Sequence, residues 1–237
     1  VTARVGRATP KRRKRVSGDA RRVDPGRLHA ASLVSVELDA DAVIWNRDDR
    51  DGRPLLVLLH GLGASQHDLV PLAPALPSEL AIASVRAPLE YPPGAAWFPA
   101  ENSAELAAQV DDGTDALIRW LEATPGHSSV GILGFSQGGA IAVHALRRAP
   151  ELVDYAVSLA GFLPGRADDD ALRQRRPPLF VGYGLADDVV PVAWSEMLVE
   201  WARPRVALEV RSYVGLAHAV SEQEIADAAA FIGAQLR

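Results

Sequence analysis

Five consecutive apolar residues, Leu55-Leu56-Val57-Leu58-Leu59, leave a β-strand no face for water. Such a strand must sit inside a sheet that is covered on both sides, and parallel sheets flanked by helices are the usual way to achieve this. Short apolar runs return at Leu80 to Val85, Val130 to Phe135, Tyr155 to Leu159 and Leu179 to Tyr183. Ala207 to Tyr213 alternates apolar and polar and reads as a strand nearer an edge. Helical segments fall between these runs. Ala104 to Leu121 places Leu106, Val110, Leu117 and Leu121 at mostly helical spacing, and the alanine-rich Gln137 to Arg148 has Pro150 just beyond its end. Trp194 to Trp201 and Glu222 to Leu236 also read as helices, the last opening with Ser221 and Glu224 at capping-box spacing. Strand and helix in alternation predict an α/β chain: a mostly parallel central sheet, helices on both faces and no separate cap domain. Near the start of the ordered region, Ser32 to Leu38 is expected to pair with Ala42 to Asn46 across an Asp39-Ala40-Asp41 turn. Pro88 to Pro99 is the longest irregular stretch, of the kind that often lines a site.

The 237 residues are 48% hydrophobic, enough for one well-buried core, and a single folded domain is expected from 31 to 237. Residues 1–30 carry the basic run Lys11-Arg12-Arg13-Lys14-Arg15 with Arg21 and Arg22, and read as a solvated, disordered tail. A signal peptide needs an apolar stretch after such a run, but Val16-Ser17-Gly18-Asp19-Ala20 follows, so no export signal is visible. The chain opens on valine, and a misplaced start would put part of this segment outside the natural protein. No apolar run approaches the ~20 residues that span a bilayer, so no stable membrane insertion is expected. The chain's net charge is −5, and a folded body of that sign has no obvious attraction to nucleic acid or anionic lipid. The absence of cysteine excludes disulfides, a thiolate nucleophile and a Cys-ligated metal, and fits a cytoplasmic protein. The oligomeric state stays open, a homodimer included.

Gly134-Phe135-Ser136-Gln137-Gly138 has the G-x-S-x-G form of a nucleophile elbow. The motif lies between an apolar strand and an alanine-rich helix, the context that this chemistry requires. A sharp turn there exposes the serine hydroxyl at the end of the sheet, near the positive end of the next helix. A serine hydroxyl needs a base beside it, and in such folds the partners follow in the order Ser, Asp, His. Two histidines follow Ser136. His144 falls within the next helix and reads as a packing or surface residue, whereas His218 lies between the final strand and the final helix, where the base belongs. His29, His67 and His127 precede the serine and read as tail, helix start and loop. The acid is expected on the loop after Leu179 to Tyr183, where Asp187 and Asp188 compete, with Asp168-Asp169-Asp170 as a further acidic cluster that reads as a solvated loop. Its work is to fix the imidazole tautomer and stabilise the imidazolium. An oxyanion hole is expected from the backbone N–H of Gln137 and that of Leu62, in the glycine turn His60-Gly61-Leu62-Gly63.

Leu59-His60-Gly61-Leu62-Gly63, Gly134-Phe135-Ser136-Gln137-Gly138-Gly139-Ala140, Asp187-Asp188-Val189-Val190-Pro191 and Ala217-His218 occur in this order. Together they resemble the phospholipase/carboxylesterase family that includes acyl-protein thioesterases, across roughly residues 31 to 237. The resemblance implies an α/β-hydrolase fold with Ser136, Asp187 and His218 as nucleophile, acid and base. The family's His-Gly-x-x-Asp-x-x-Val-Pro register, counted back from Val190-Pro191, selects Asp187 over Asp188, and Tyr183 stands where that motif has histidine. Ala96-Trp97-Phe98 is similar to an aromatic segment beside the family's acyl site, which makes Trp97 and Phe98 candidate substrate contacts. The implied activity is hydrolysis of small to medium acyl esters through an acyl-enzyme, with neither metal nor organic cofactor. An acyl-protein thioesterase or lysophospholipase is the alternative within the same chemistry. A non-catalytic small-molecule binding protein on the same fold is the alternative from another class.

Overall fold

The computed structural model describes residues 36–99, 106–164 and 169–236, and the account below concerns these. In chain order the strands are β1 (Ile44–Trp45), β2 (Leu55–Leu59), β3 (Ala81–Val85), β4 (Leu89–Tyr91), β5 (Gly94–Ala96), β6 (Val130–Phe135), β7 (Tyr155–Leu159), β8 (Pro178–Gly184) and β9 (Ala207–Tyr213). The helices are α1 (Leu106–Glu122), α2 (Gln137–Arg148), α3 (Asp170–Arg175), α4 (Val192–Ala202) and α5 (Glu222–Gln235). Seven strands form one sheet in the order β1-β3-β2-β6-β7-β8-β9, parallel throughout except for β1. All five residues of β2 are fully buried between β3 and β6 in the interior of this sheet, as a run with no polar face requires.

The alternation of side chains along each strand divides the core in two. Leu55, Val57 and Leu59 pack with Ile132 and Val181 against α1, α2 and α4. Leu56 and Leu58 pack with Leu133, Val157 and Phe180 against α5 and a 3₁₀ segment, Val70–Ala75. The chain is therefore an α/β three-layer structure, and every parallel strand ends at the same edge of the sheet.

Three local expectations need correction. Among the described residues the expected hairpin before β2 is not formed: Asp39 accepts the Asp41 N–H at 3.0 Å and starts a 3₁₀ turn, Ala40–Ala42. Strand β1 instead runs antiparallel to β3, where the Asn46 side chain accepts the Ile82 N–H at 2.8 Å and fixes the pairing. Residues 32–35 of the expected strand lie outside the described residues, as do the tail and Ala104. Within Pro88 to Pro99, β4 and β5 form a two-stranded hairpin. The capping box at α5 is only half made: the Ser221 hydroxyl accepts the Glu224 N–H at 3.1 Å, but neither carboxylate oxygen of Glu224 has a hydrogen-bond partner.

Candidate active site

Strand β6 and helix α2 meet at Ser136, whose φ of 55° and ψ of −118° lie in a region that side chains avoid. Glycine makes the turn possible on both sides. A Cβ at Gly134 would collide with the Gly138 carbonyl, and one at Gly138 with the Leu59 carbonyl. The Ser136 N–H donates to the Leu159 carbonyl at 2.8 Å, so the neighbouring strand holds the strained residue in place.

Two later loops bring an imidazole and a carboxylate to this hydroxyl. His218 Nε2 lies 3.0 Å from Ser136 Oγ, and His218 Nδ1 lies 2.8 Å from Asp187 Oδ2. The Asp187 side chain is only 3% exposed, and its other oxygen accepts the Val189 and Val190 N–H groups, both at 2.9 Å. Burial opposes its charge, but the His218 bond and these two N–H groups outweigh burial and hold the carboxyl below its ordinary range. A carboxylate so fixed requires a proton on Nδ1, which leaves Nε2 free to accept from the serine. Asp188 is exposed, and α4 starts at Pro191 without a side-chain cap.

Leu62, in the turn after β2, and Gln137, at the start of α2, line one cleft with Ser136. Among the described residues the N–H of neither is taken by a backbone carbonyl. The buried His60 braces this turn: Ala87 N–H donates to its Nε2 at 3.0 Å, so Nδ1 carries the proton and bonds the Gly61 carbonyl at 2.8 Å. Burial, more than any other cause, keeps this imidazole neutral by lowering its pKa. The β4–β5 hairpin latches the same turn through Gly63 N–H to Ala95 O and Ala95 N–H to Ala64 O, both at 2.9 Å. The side chain of Gln137 accepts the Trp97 N–H at 2.8 Å and donates to the Phe98 carbonyl at 2.7 Å.

Two clefts meet at Ser136. One, of about 470 Å³, is lined by Phe98, Val110, Phe162, Trp194 and Met197 among others. The second, of about 480 Å³, includes Leu69, Leu72, His218 and Val220. Phe98 thus faces a cleft, as expected of a substrate contact, but Trp97 does not. It is 0% exposed, and its Nε1 donates to the His60 carbonyl at 3.0 Å, so it supports the loop and cannot touch a ligand. Phe162, Trp194 and Met197 carry no motif. Trp194 and Met197, large apolar residues one helical turn apart just after the Asp187 loop, are a sequence signal for two of them, and both are exposed in the structure.

The remaining candidates have other partners. His144 is buried, with Nε2 2.7 Å from Asp111. His127 Nδ1 lies 3.2 Å from the Arg53 carbonyl, and His67 is exposed in a turn. Asp169 holds Arg147, Arg205 and the Trp201 indole N–H, while Asp170 begins α3; Asp168 and His29 lie outside the described residues. Tyr183 is half-buried and pairs with Ser212 in the β8–β9 ladder.

Leu62, Ser136, Asp187 and His218 each lie beyond the carboxyl end of a parallel strand, in the chain order of the α/β-hydrolases, and that is the class of this fold. Residues 40–236 match the phospholipase/carboxylesterase family, and the chain belongs to it. Acyl-protein thioesterase 1 of Candida albicans is 32% identical over 107 residues, 42% of this chain and 46% of that protein. Acyl-protein thioesterase 1 of Mycosarcoma maydis is 27% identical over 213 residues, 75% of this chain and 89% of that protein. Against several of the curated relatives the chain matches only about half of their length. The crystal structure of acyl-protein thioesterase 2 from Zea mays shares the fold with a TM-score of 0.70 at 23% identity, over 82% of this chain and 99% of that one. Among the described residues no helix is long and apolar enough to cross a membrane.

Proposed function

We propose that the chain is a serine hydrolase of carboxylic esters with small to medium acyl chains. The observation that carries this reading is the hydrogen-bonded line Asp187–His218–Ser136, opening on a cleft lined by Leu62 and Gln137, whose N–H groups have no backbone acceptor among the described residues. Ser136 Oγ attacks the ester carbonyl while His218 Nε2 takes its proton, and Asp187 stabilises the imidazolium. The N–H groups of Leu62 and Gln137 hold the oxyanion, a role in which one donor commonly contributes about 3 kcal/mol. His218 returns the proton to the departing alcohol. Water then enters by the same route and frees Ser136. The residues alone supply this chemistry, without a metal or organic cofactor.

A fluorophosphonate probe tests the reading directly, because a working site is labelled at Ser136 and a pure binding module is not. Ser136→Ala is expected to abolish labelling and ester turnover with the fold intact. Turnover within tenfold of the parent, in protein free of other esterases, would exclude the mechanism. The similarity to a thioesterase of Mycosarcoma maydis over most of that protein favours a second reading, acyl-protein thioester hydrolysis. A chain-length series of p-nitrophenyl esters beside a palmitoyl thioester separates the two, as the thioesterase reading requires the thioester to be the better substrate.

A further inference from the structure

The two clefts at Ser136 are not equivalent, because His218 lines one and Gln137 the other. This difference assigns the two halves of an ester, given the roles read above for Ser136 and His218. In the tetrahedral intermediate the leaving oxygen must face the imidazole that protonates it. His218 Nε2 is 3.0 Å from Ser136 Oγ and belongs to the cleft of Leu69, Leu72 and Val220. The acyl chain must then point the other way, along Phe98, Phe162 and Trp194. Leu62 and Val189 line both clefts, are 38% and 63% exposed, and divide the two paths.

We propose that the cleft beside His218 is a leaving-group subsite and that it selects esters of uncharged, aliphatic alcohols of medium length. Its walls are largely apolar: the side chains of Leu62, Leu69, Leu72, Phe135 and Val220 offer no hydrogen bond to a peptide backbone. Its one carboxylate is Asp68, whose Oδ2 accepts the Ser65 N–H at 2.7 Å and the Ser65 hydroxyl at 2.8 Å. The hydroxyl bond is the largest of the influences that hold this group below the usual carboxylate range, so it is charged at neutral pH. A phosphorylated leaving group, as in a lysophospholipid, would meet a like charge there. A peptidyl leaving group would lose its solvation without replacement. The subsite therefore places the natural substrates among simple esters that are apolar on both sides of the carbonyl.

The test varies one half of the substrate at a time with the full chain. For butanoate esters of linear alcohols, kcat/KM is expected to rise about two- to fourfold per methylene until the cleft is filled. Leu72→Trp should flatten that alcohol series while methyl esters keep their dependence on acyl-chain length, whereas Met197→Trp should flatten the acyl dependence and keep that on the alcohol. An exchange of the two effects, or a flat alcohol series in the parent, overturns the assignment. Leu72 also packs on the core, so a measurement on the unaltered protein accompanies the variants. Added alcohol competes with water for the acyl-enzyme. Its O–H proton passes to His218, its oxygen bonds the acyl carbon, and the bond from that carbon to Ser136 Oγ breaks as Oγ regains a proton. Hexan-1-ol should divert more acyl groups into ester than equal ethanol or glycerol 3-phosphate. Equal diversion by all three overturns the subsite with the hydrolase reading intact. Failure to label with fluorophosphonate and to cleave any ester removes both.

Discussion

Glu224 is expected to make this protein less stable as pH rises toward neutrality. It lies in the first turn of α5, is 1% exposed, and has no hydrogen-bond partner for either carboxylate oxygen. Burial, opposed by the nearby Ser221 N–H and reinforced by repulsion from Asp227, pushes its pKa up from 4.5 to about 7. The folded state therefore holds a proton that the unfolded chain releases. Below 4.5 both states are protonated and the residue is neutral in the balance. Between 4.5 and 7 the unfolded chain ionises first and stability falls; above 7 the loss is constant. At about 1.4 kcal/mol per pH unit, this interval amounts to on the order of 3 kcal/mol. Glu224→Gln is neutral at every pH and nearly the same size. Urea unfolding of parent and variant at pH 4.5, 6, 7 and 8 should show a difference that grows in favour of the variant and levels off near pH 8. In melting temperature the plateau is about 6 to 12 °C relative to the offset at pH 4.5. A difference that stays constant over the whole range would refute the reasoning, because the carboxyl would then be ionised, or neutral, in both states alike.

Asp187→Asn is expected to lower kcat by as much as about 10⁴, by analogy with serine proteases, because the two N–H groups at 2.9 Å retain the amide oxygen and turn its NH₂ toward His218 Nδ1. Asp188→Asn, at an exposed position, should stay near the parent, and steady-state assays of the pair at neutral and higher pH decide between them. Arg147→Met removes a bond of 2.8 Å to the Pro164 carbonyl and one of the partners of Asp169, which keeps Arg205 and Trp201, and should cost about 1 to 3 kcal/mol in urea unfolding. It should also raise KM for long acyl chains more than for acetyl; a uniform effect on all chain lengths would show that the cleft wall is unaffected. Deleting residues 1–22, which carry few apolar side chains, should leave turnover and Tm unchanged, and a fall of several degrees would contradict that.

The central strands are legible in the sequence because a run such as Leu55–Leu59 has no alternative to burial on both faces. The elbow is legible for a related reason: Gly134 and Gly138 stand where backbone passes too close for a Cβ, so the constraint is written in residue type. The β4–β5 hairpin is harder to read, since its place comes from the Gly63 and Ala64 backbone far away in the chain. Trp97 and Phe98 are adjacent aromatics with opposite fates, and only the bonds from Gln137 and to His60 decide which one faces the cleft. Glu224 has capping-box spacing, yet its carboxylate is left without a partner. Spacing records which residues can meet and says nothing of what packing does to them afterwards.

Helix α2 carries more than Ser136 at its start. Its first residue, Gln137, grips the backbone at Trp97 and Phe98, and Arg147, near its far end, grips Pro164. Two walls of the cleft proposed for the acyl chain are thereby fastened to the helix that follows Ser136. Trp194 and Met197 on α4 lie in the same cleft, are 49% and 59% exposed, and make no such bond to α2. A change at Phe98 or Pro164 would disturb aim and fit together, whereas α4 can be altered one side chain at a time. Adaptation of this scaffold to a new acyl chain, in nature or by design, has its open route along α4.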